Sequence, residues 1–168
     1  SASYLYLAEM YWKQGKKTQA MEAIDESIAL SGKSTQSKFV KAYFLSCLGK
    51  KSEALSLLDE NISFDPVDFL SIVERARIKG DEAAAKRALA HMGIPLQESL
   101  EITTFYSSVG AYDEAVKFLD FVMANGTSYS STPMQKNAVE PFTVSPMLNY
   151  MAGWYSTLAG KDDTAVSY

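Results

Sequence analysis

The stretch Tyr11-Trp12-Lys13-Gln14-Gly15, followed five residues after the glycine by Ala20-Met21-Glu22, decides how this chain is built. A glycine between two apolar-periodic segments supplies the positive φ that a tight helix-to-helix turn requires. A small alanine early in the second segment lets the two helices approach closely. The same pair of residues returns along the chain as Gly49/Ala54, Gly80/Ala85, Gly110/Ala115 and Gly160/Ala165. Successive glycines lie 34, 31, 30 and 50 residues apart. The first three intervals fall in the range of helical hairpin repeats.

Working outward from each glycine gives the hairpins. In the first, Leu7, Ala8 and Tyr11 share one helical face, and Ala20, Ile24, Ser27 and Ile28 share one in the second helix. The second hairpin runs through Ala42, Leu45, Gly49, Ala54 and Leu58 and stops at Asp65-Pro66. Its Lys38 and Lys41 stand where apolar residues are usual. Either their aliphatic stems cover the core edge or the helix is rotated. The third, Val67 to Gly93, carries Ile72, Val73, Ala76, Gly80, Ala85, Leu89 and Met92. The fourth carries Ile102, Thr103, Tyr106, Gly110, Ala115, Leu119 and Val122. Asn125 to Val144, with Gly126, the Ser/Thr run Thr127 to Thr132, Pro133 and Pro141, reads as a loop insertion that accounts for the long interval. Pro146 then opens the first helix of a fifth hairpin, and its second helix begins at Asp162 and stops at Tyr168.

These features closely resemble the tetratricopeptide repeat (TPR) family, with Ala8 and Tyr11 at the small and aromatic positions of the first helix and Ala111-Tyr112-Asp113-Glu114-Ala115 matching the turn into the second. Gly32 stands where the closing proline is usual. The resemblance implies an all-α, right-handed solenoid of antiparallel helix-turn-helix repeats over 1–34, 35–66, 67–95 and 96–125, an insertion over 126–144 and a partial repeat over 145–168, a single domain cut from a longer array. A fainter resemblance, carried by Phe64-Asp65-Pro66-Val67-Asp68-Phe69, Tyr112-Asp113-Glu114-Ala115 and Ser145-Pro146-Met147-Leu148-Asn149-Tyr150, is to repeat regions attached to bacterial β-sandwich modules of the galactose-mutarotase type.

Composition narrows the partners. The 168 residues are 47% hydrophobic and 21% charged, with a net charge of −4 and a pI near 5.0. That balance gives no electrostatic footprint for nucleic acid or an anionic membrane, and no apolar run is long enough for a membrane helix. The basic cluster Lys13 to Lys17 and the pair Lys50-Lys51 read as solvated turn charge. Cys47 is the single cysteine, which favours a reducing, cytoplasmic setting and is also compatible with a bacterial periplasm. The chain begins Ser1-Ala2-Ser3, without an initiator Met or the charged and apolar regions of a signal peptide, as an excised piece would.

Nothing in the residues points to catalysis or to a cofactor. His91 is the only histidine, so the usual zinc ligand sets have no basis. Cys47 has no basic neighbour on its own helical face to activate it and reads as a buried or groove-lining thiol. The acidic pairs Asp81-Glu82, Asp113-Glu114 and Asp162-Asp163 open second helices, where negative charge meets the positive end of the helix dipole. Asn61-Ile62-Ser63 and Asn125-Gly126-Thr127 match the glycosylation tripeptide by accident.

The candidate site is the inner face, since the resemblance implies that first helices line a concave surface. Ten residues before the turn glycines stand Leu5, Phe39, Leu70, Leu100 and Tyr150. Six before stand Glu9, Tyr43, Glu74, Thr104 and Trp154, and three before stand Trp12, Ser46, Arg77, Ser107 and Thr157. Leu5, Glu9, Trp12, Phe39, Tyr43, Leu70, Arg77, Leu100, Tyr150 and Trp154 therefore form a groove for a protein or peptide, or for a neighbouring domain of the same chain, with Trp12, Tyr43 and Trp154 as leading contacts. The alternative is that the apolar row packs only against neighbouring first helices. The family's clamp for acidic C-terminal peptides uses Lys, Asn and Arg; Leu5, Glu9 and Val40 stand in those places, so that specificity is not expected. The expected function is a non-catalytic interaction scaffold. An accessory repeat region of a carbohydrate-active protein, or a self-association module pairing as a homodimer through its terminal repeats, are the alternatives.

Overall fold

A computed structural model describes residues 2–32, 34–92, 96–125 and 146–168. Among them every regular element is a helix: α1 (Ala2–Lys13), α2 (Lys17–Ser31), α3 (Thr35–Cys47), α4 (Lys51–Phe64), α5 (Phe69–Lys79), α6 (Glu82–Met92), α7 (Leu96–Ser108), α8 (Tyr112–Asn125), α9 (Pro146–Leu158) and α10 (Asp162–Ala165). The chain is an all-α helical-repeat protein. The expected insertion over 126–144 lies outside the described residues, as do Gly126 and Thr127 of the second glycosylation tripeptide and the side chain of His91.

All five turn glycines hold a positive φ, between 67° and 80°. The hydrogen bonds around them repeat as well. At Gly49 the glycine N–H donates to Ser46 O at 3.1 Å, and the next N–H, that of Lys50, reaches back to Leu45 O at 2.9 Å. This double back-bond satisfies carbonyls that the helix end would otherwise leave orphaned. The alanine five residues on makes the first bond of the following helix, as Ala54 N does to Lys50 O at 3.1 Å. Ala20, Ala54 and Ala115 are fully buried, where any larger side chain would hold the two helices apart. Gly32 ends α2 with a φ of 63°, so a left-handed glycine does the work of the absent proline. At Asp65 the proline that follows keeps the backbone extended, and α4 stops there.

Contacts divide the chain into two compact units, Ser1–Ala88 and Leu89–Tyr168. In the first, α1 pairs with α2 and α3 with α4, while α2 packs on α3, α4 on α5, and α3 directly on α5. Its core holds Ile24, Phe39, Phe44 and Leu58 among buried alanines. Each such side chain removed from water stabilises the unit by about 1.5–3 kcal/mol. In the second, α7 pairs with α8, α8 packs on α9, and α9 on α10, around Ile102, Tyr106, Leu119, Val122 and Leu148.

Lys38 and Lys41 follow the first of the two expected alternatives. Their side chains are largely covered, and each ammonium meets a carboxylate at 2.6 Å, Glu60 of α4 and Asp25 of α2 respectively. Buried polar groups meet at the hairpin junctions. Ser27 and Ser37 share a hydrogen bond of 2.9 Å, and 34 residues later Asn61 donates to Ser71 Oγ at 3.0 Å and to Thr35 O at 2.8 Å. Asn61 is 1% exposed, which closes its tripeptide to glycosylation in the folded chain.

Two outcomes follow. No atom lies within 4 Å of a Cβ built on Gly49, so Gly49→Ala acts through the backbone alone and lowers stability by about 1–2 kcal/mol, read as a fall in the urea midpoint at unchanged slope. Tyr168 donates its hydroxyl to Asp120 Oδ1, and burial together with that carboxylate pushes the phenol from 10.0 up to about 12. The folded state therefore holds this proton longer than the unfolded one. Its contribution is fully present below pH 10.0 and is lost as pH rises through about 12. Tyr168→Phe should remove that part of the alkaline fall in melting temperature.

Candidate functional site

Seven of the ten expected groove residues lie in the first unit and three in the second. In the first, the side chains Leu5, Glu9, Trp12, Phe39 and Tyr43 are all buried, Leu70 is half-buried and Arg77 is exposed. Trp12 and Tyr43 are thus packing residues before they are anything else. The indole of Trp12 stacks on Phe44 with ring centroids 4.1 Å apart and meets the edge of Tyr43 at 6.5 Å. Phe44, one position beyond the row read from the sequence, reaches from α3 into the first hairpin and covers it.

Two cations lie against this aromatic layer. Lys17 Nζ sits 3.5 Å from the Trp12 ring centroid and donates to Trp12 O at 3.3 Å. The guanidinium carbon of Arg77 lies 5.4 Å from the Tyr43 ring centroid. Arg77 donates through Nε and Nη2 to the two oxygens of Glu74, at 2.7 and 2.6 Å, and through Nη2 to Ser46 Oγ at 3.0 Å. The Glu74 carboxylate is fully buried, so this fork holds the guanidinium in one orientation rather than leaving it to sweep through solvent. Ion–ring contacts of this kind contribute about 0.5–2 kcal/mol each. Burial lowers the pKa of Lys17 below its ordinary value, the nearby Cys47 opposing that shift.

Cys47 belongs to the same surface. The residue is exposed, not buried as one reading of the sequence had it, and it lies at the end of α3 beside Ser46. The sequence reading found no basic neighbour on its own helical face, yet Lys17 from α2 and Arg77 from α5 are both within electrostatic range of the sulfur. Desolvation nevertheless dominates and pushes the thiol up, with the Tyr43 hydroxyl and Arg77 pulling it down and Glu74 pushing with the desolvation. Cys47 is therefore a surface thiol that burial holds above its ordinary pKa.

The sequence reading missed Lys17, taken as solvated turn charge. Its place one turn past Trp12, across the glycine, was the available signal. In the second unit Leu100 is half-buried, whereas Tyr150 and Trp154 are 70% and 54% exposed. They line an open cavity of about 580 Å³ with Asn149, Thr157 and Val166. Among the described residues no group of three or more His, Cys, Asp or Glu side chains is placed to hold a metal, and no helix is long and apolar enough to cross a membrane.

No family model and no curated protein sequence matches the chain. Among solved structures it is similar to a tetratricopeptide repeat protein from Parabacteroides merdae, at 15% identity and a TM-score of 0.49, over 99% of this chain and 61% of that one. It is also similar to MamA AMB-1, at 11% identity and a TM-score of 0.43, over 99% of this chain and 86% of that one. Neither is a protein of the galactose-mutarotase type by its description.

The exposed but weakly ionised thiol gives a direct check on this geometry. Alkylation of Cys47 by iodoacetamide should reach half its limiting rate at a higher pH than that of a freely solvated thiol, and Arg77→Gln should move that midpoint further up by removing a nearby positive charge.

Proposed function

We propose that the chain is a non-catalytic interaction scaffold, and that the surface formed by α1, the start of α2, α3 and α5 receives a protein segment, from a partner or from a neighbouring domain of the same chain. The observation that carries this reading is the pair of cations, Lys17 and Arg77, held over the buried rings of Trp12 and Tyr43. Fixing two flexible cations in advance lowers the ordering cost that a ligand would otherwise meet. The same rings form a rigid floor, with Ser46 and Cys47 as small side chains beside them. Such a surface suits a segment that carries carboxylates at its edge and apolar side chains between them. Glu9 and Phe39 then support the floor from below without touching the ligand, because both are buried.

The experiment uses Cys47 as reporter. The full chain carrying an environment-sensitive fluorophore on Cys47 is titrated with degenerate short peptides containing paired Asp or Glu residues, and with a matched set containing Lys or Arg. The acidic set should give a saturable signal and the basic set none. Lys17→Glu, a change at an exposed position that spares the core, should weaken acidic peptides by about tenfold or more, as loss and reversal of one close charge pair does. Equal response to both sets, or acidic binding indifferent to Lys17→Glu, would overturn the assignment of this surface.

A further inference from the structure

Three helix-to-helix turns lie together at one end of the first unit. Lys17 at the start of α2 lies over Trp12, Trp12 meets Tyr43 of α3, and Arg77 of α5 reaches Ser46. The two residues after the turn glycine are Lys16-Lys17 in the first hairpin and Lys50-Lys51 in the second. At the third turn, Arg77 and Lys79 stand just before Gly80. All six side chains are exposed. Lys16 and Lys50 are the N-caps of α2 and α4, and neither gives its helix a side-chain cap. Ser, Thr, Asp or Asn suits that place, and a cation beside the positive end of a helix dipole is unfavourable. Two successive hairpins therefore give up local stability to place lysines here, the kind of local conflict expected where a surface is used.

The carboxylates at this end do not neutralise the cations. Glu53 meets Lys50 at 3.6 Å, with both side chains more than half exposed. Asp81 caps α6, its Oδ1 accepting from Ala84 N at 2.8 Å, and Glu82 follows in the first turn of that helix. Glu74 is the buried partner of Arg77. Among the described residues no carboxylate lies within 4 Å of Lys16, Lys17, Lys51 or Lys79. The turns of the second unit differ. Ala111 and Tyr112 follow Gly110, and Lys161, after Gly160, is paired with Asp113 at 2.6 Å. The first unit carries 13 Lys and Arg against 12 Asp and Glu, a charge of +1, and the second carries 3 against 8, a charge of −5, which together give the −4 of the chain. The basic end thus belongs to the first unit alone.

We infer that an acidic protein segment crosses this end of the first unit from turn to turn, transverse to the helices, with its carboxylates set on the three pairs of cations. The inference rests on the reading above that Lys17 and Arg77 meet carboxylates, and it adds the direction and length of the segment. Packed helices lie about 8–10 Å apart, so three stacked turns span roughly 20 Å, which about six or seven extended residues cover at ~3.3 Å each. The same cations do not suit a nucleic acid. The rings of Trp12 and Tyr43 beneath them are buried and offer no face on which a base can stack, and a unit of net charge +1 is poorly matched to a phosphate backbone.

Fluorescence anisotropy on the full chain tests this with labelled Gly-Ser peptides of constant length that carry two, four or seven consecutive Glu residues. At low salt the seven-Glu peptide should bind about tenfold or more tightly than the two-Glu peptide, since several weak exposed pairs act together. The gap should close as salt approaches molar concentration. Changing Lys16, Lys50, Lys51 and Lys79 together to Gln should bring the seven-Glu peptide down to the affinity of the two-Glu one, with circular dichroism to verify the fold. The pair Lys51→Gln and Lys79→Gln leaves both N-caps in place and should remove part of the same gain. A wild-type series without gain in length, or a gain that survives these changes, would overturn this inference and leave the Lys17 and Arg77 surface standing. Failure of every acidic peptide to bind would overturn both. Displacement of the seven-Glu peptide by a thymidine heptanucleotide as readily as by unlabelled peptide would overturn the choice of a protein segment.

Discussion

A single helical hairpin cannot cover its own apolar face, and that constraint organises the rest of the molecule. Trp12 of α1 is covered from the next hairpin by Phe44 stacked on it, and α3 packs on α2 as well. The same dependence repeats where α5 lies on α3 and α4. Stability in such a chain is the sum of modest hairpin terms and the interfaces between them. The turn glycines and the alanines five residues later are the geometric condition for those interfaces, since they fix the angle and the spacing at which each hairpin closes.

The polar groups follow the same economy of position. Arg77 makes a buried carboxylate tolerable at Glu74 and is itself oriented by it, so one ion pair both satisfies the core and presents a fixed cation to solvent. Removing the arginine would leave Glu74 buried without its principal counter-charge, a change of roughly 3–5 kcal/mol in comparable pairs. The junction bonds Ser27–Ser37 and Asn61–Ser71 set the lateral register of successive hairpins, because a slip by one residue would leave these groups buried without each other. The surface proposed to receive a segment is built from the same contacts that lock the hairpins together.

The amino-acid sequence by itself determined the number, order and class of the elements. Glycine is the residue that takes φ near +70° without strain, and a buried alanine at fixed spacing admits a close helix, so five Gly/Ala pairs amount to five turns wherever they occur. What lies across an interface was decided only by tertiary structure. Trp12 and Tyr43 have the composition of ligand anchors, but whether an aromatic faces a ligand or a neighbouring Phe44 depends on which helix comes to rest on it. Lys17 reads as turn charge along the chain and becomes a ring-capping cation only when the turn folds it back over Trp12. Cys47 acquires its electrostatic neighbours from α2 and α5, both distant in sequence or separated by a turn. Periodicity along a helix is a local property, legible in one strand of letters; the partner of each face is a non-local one, set by the packing of several helices at once.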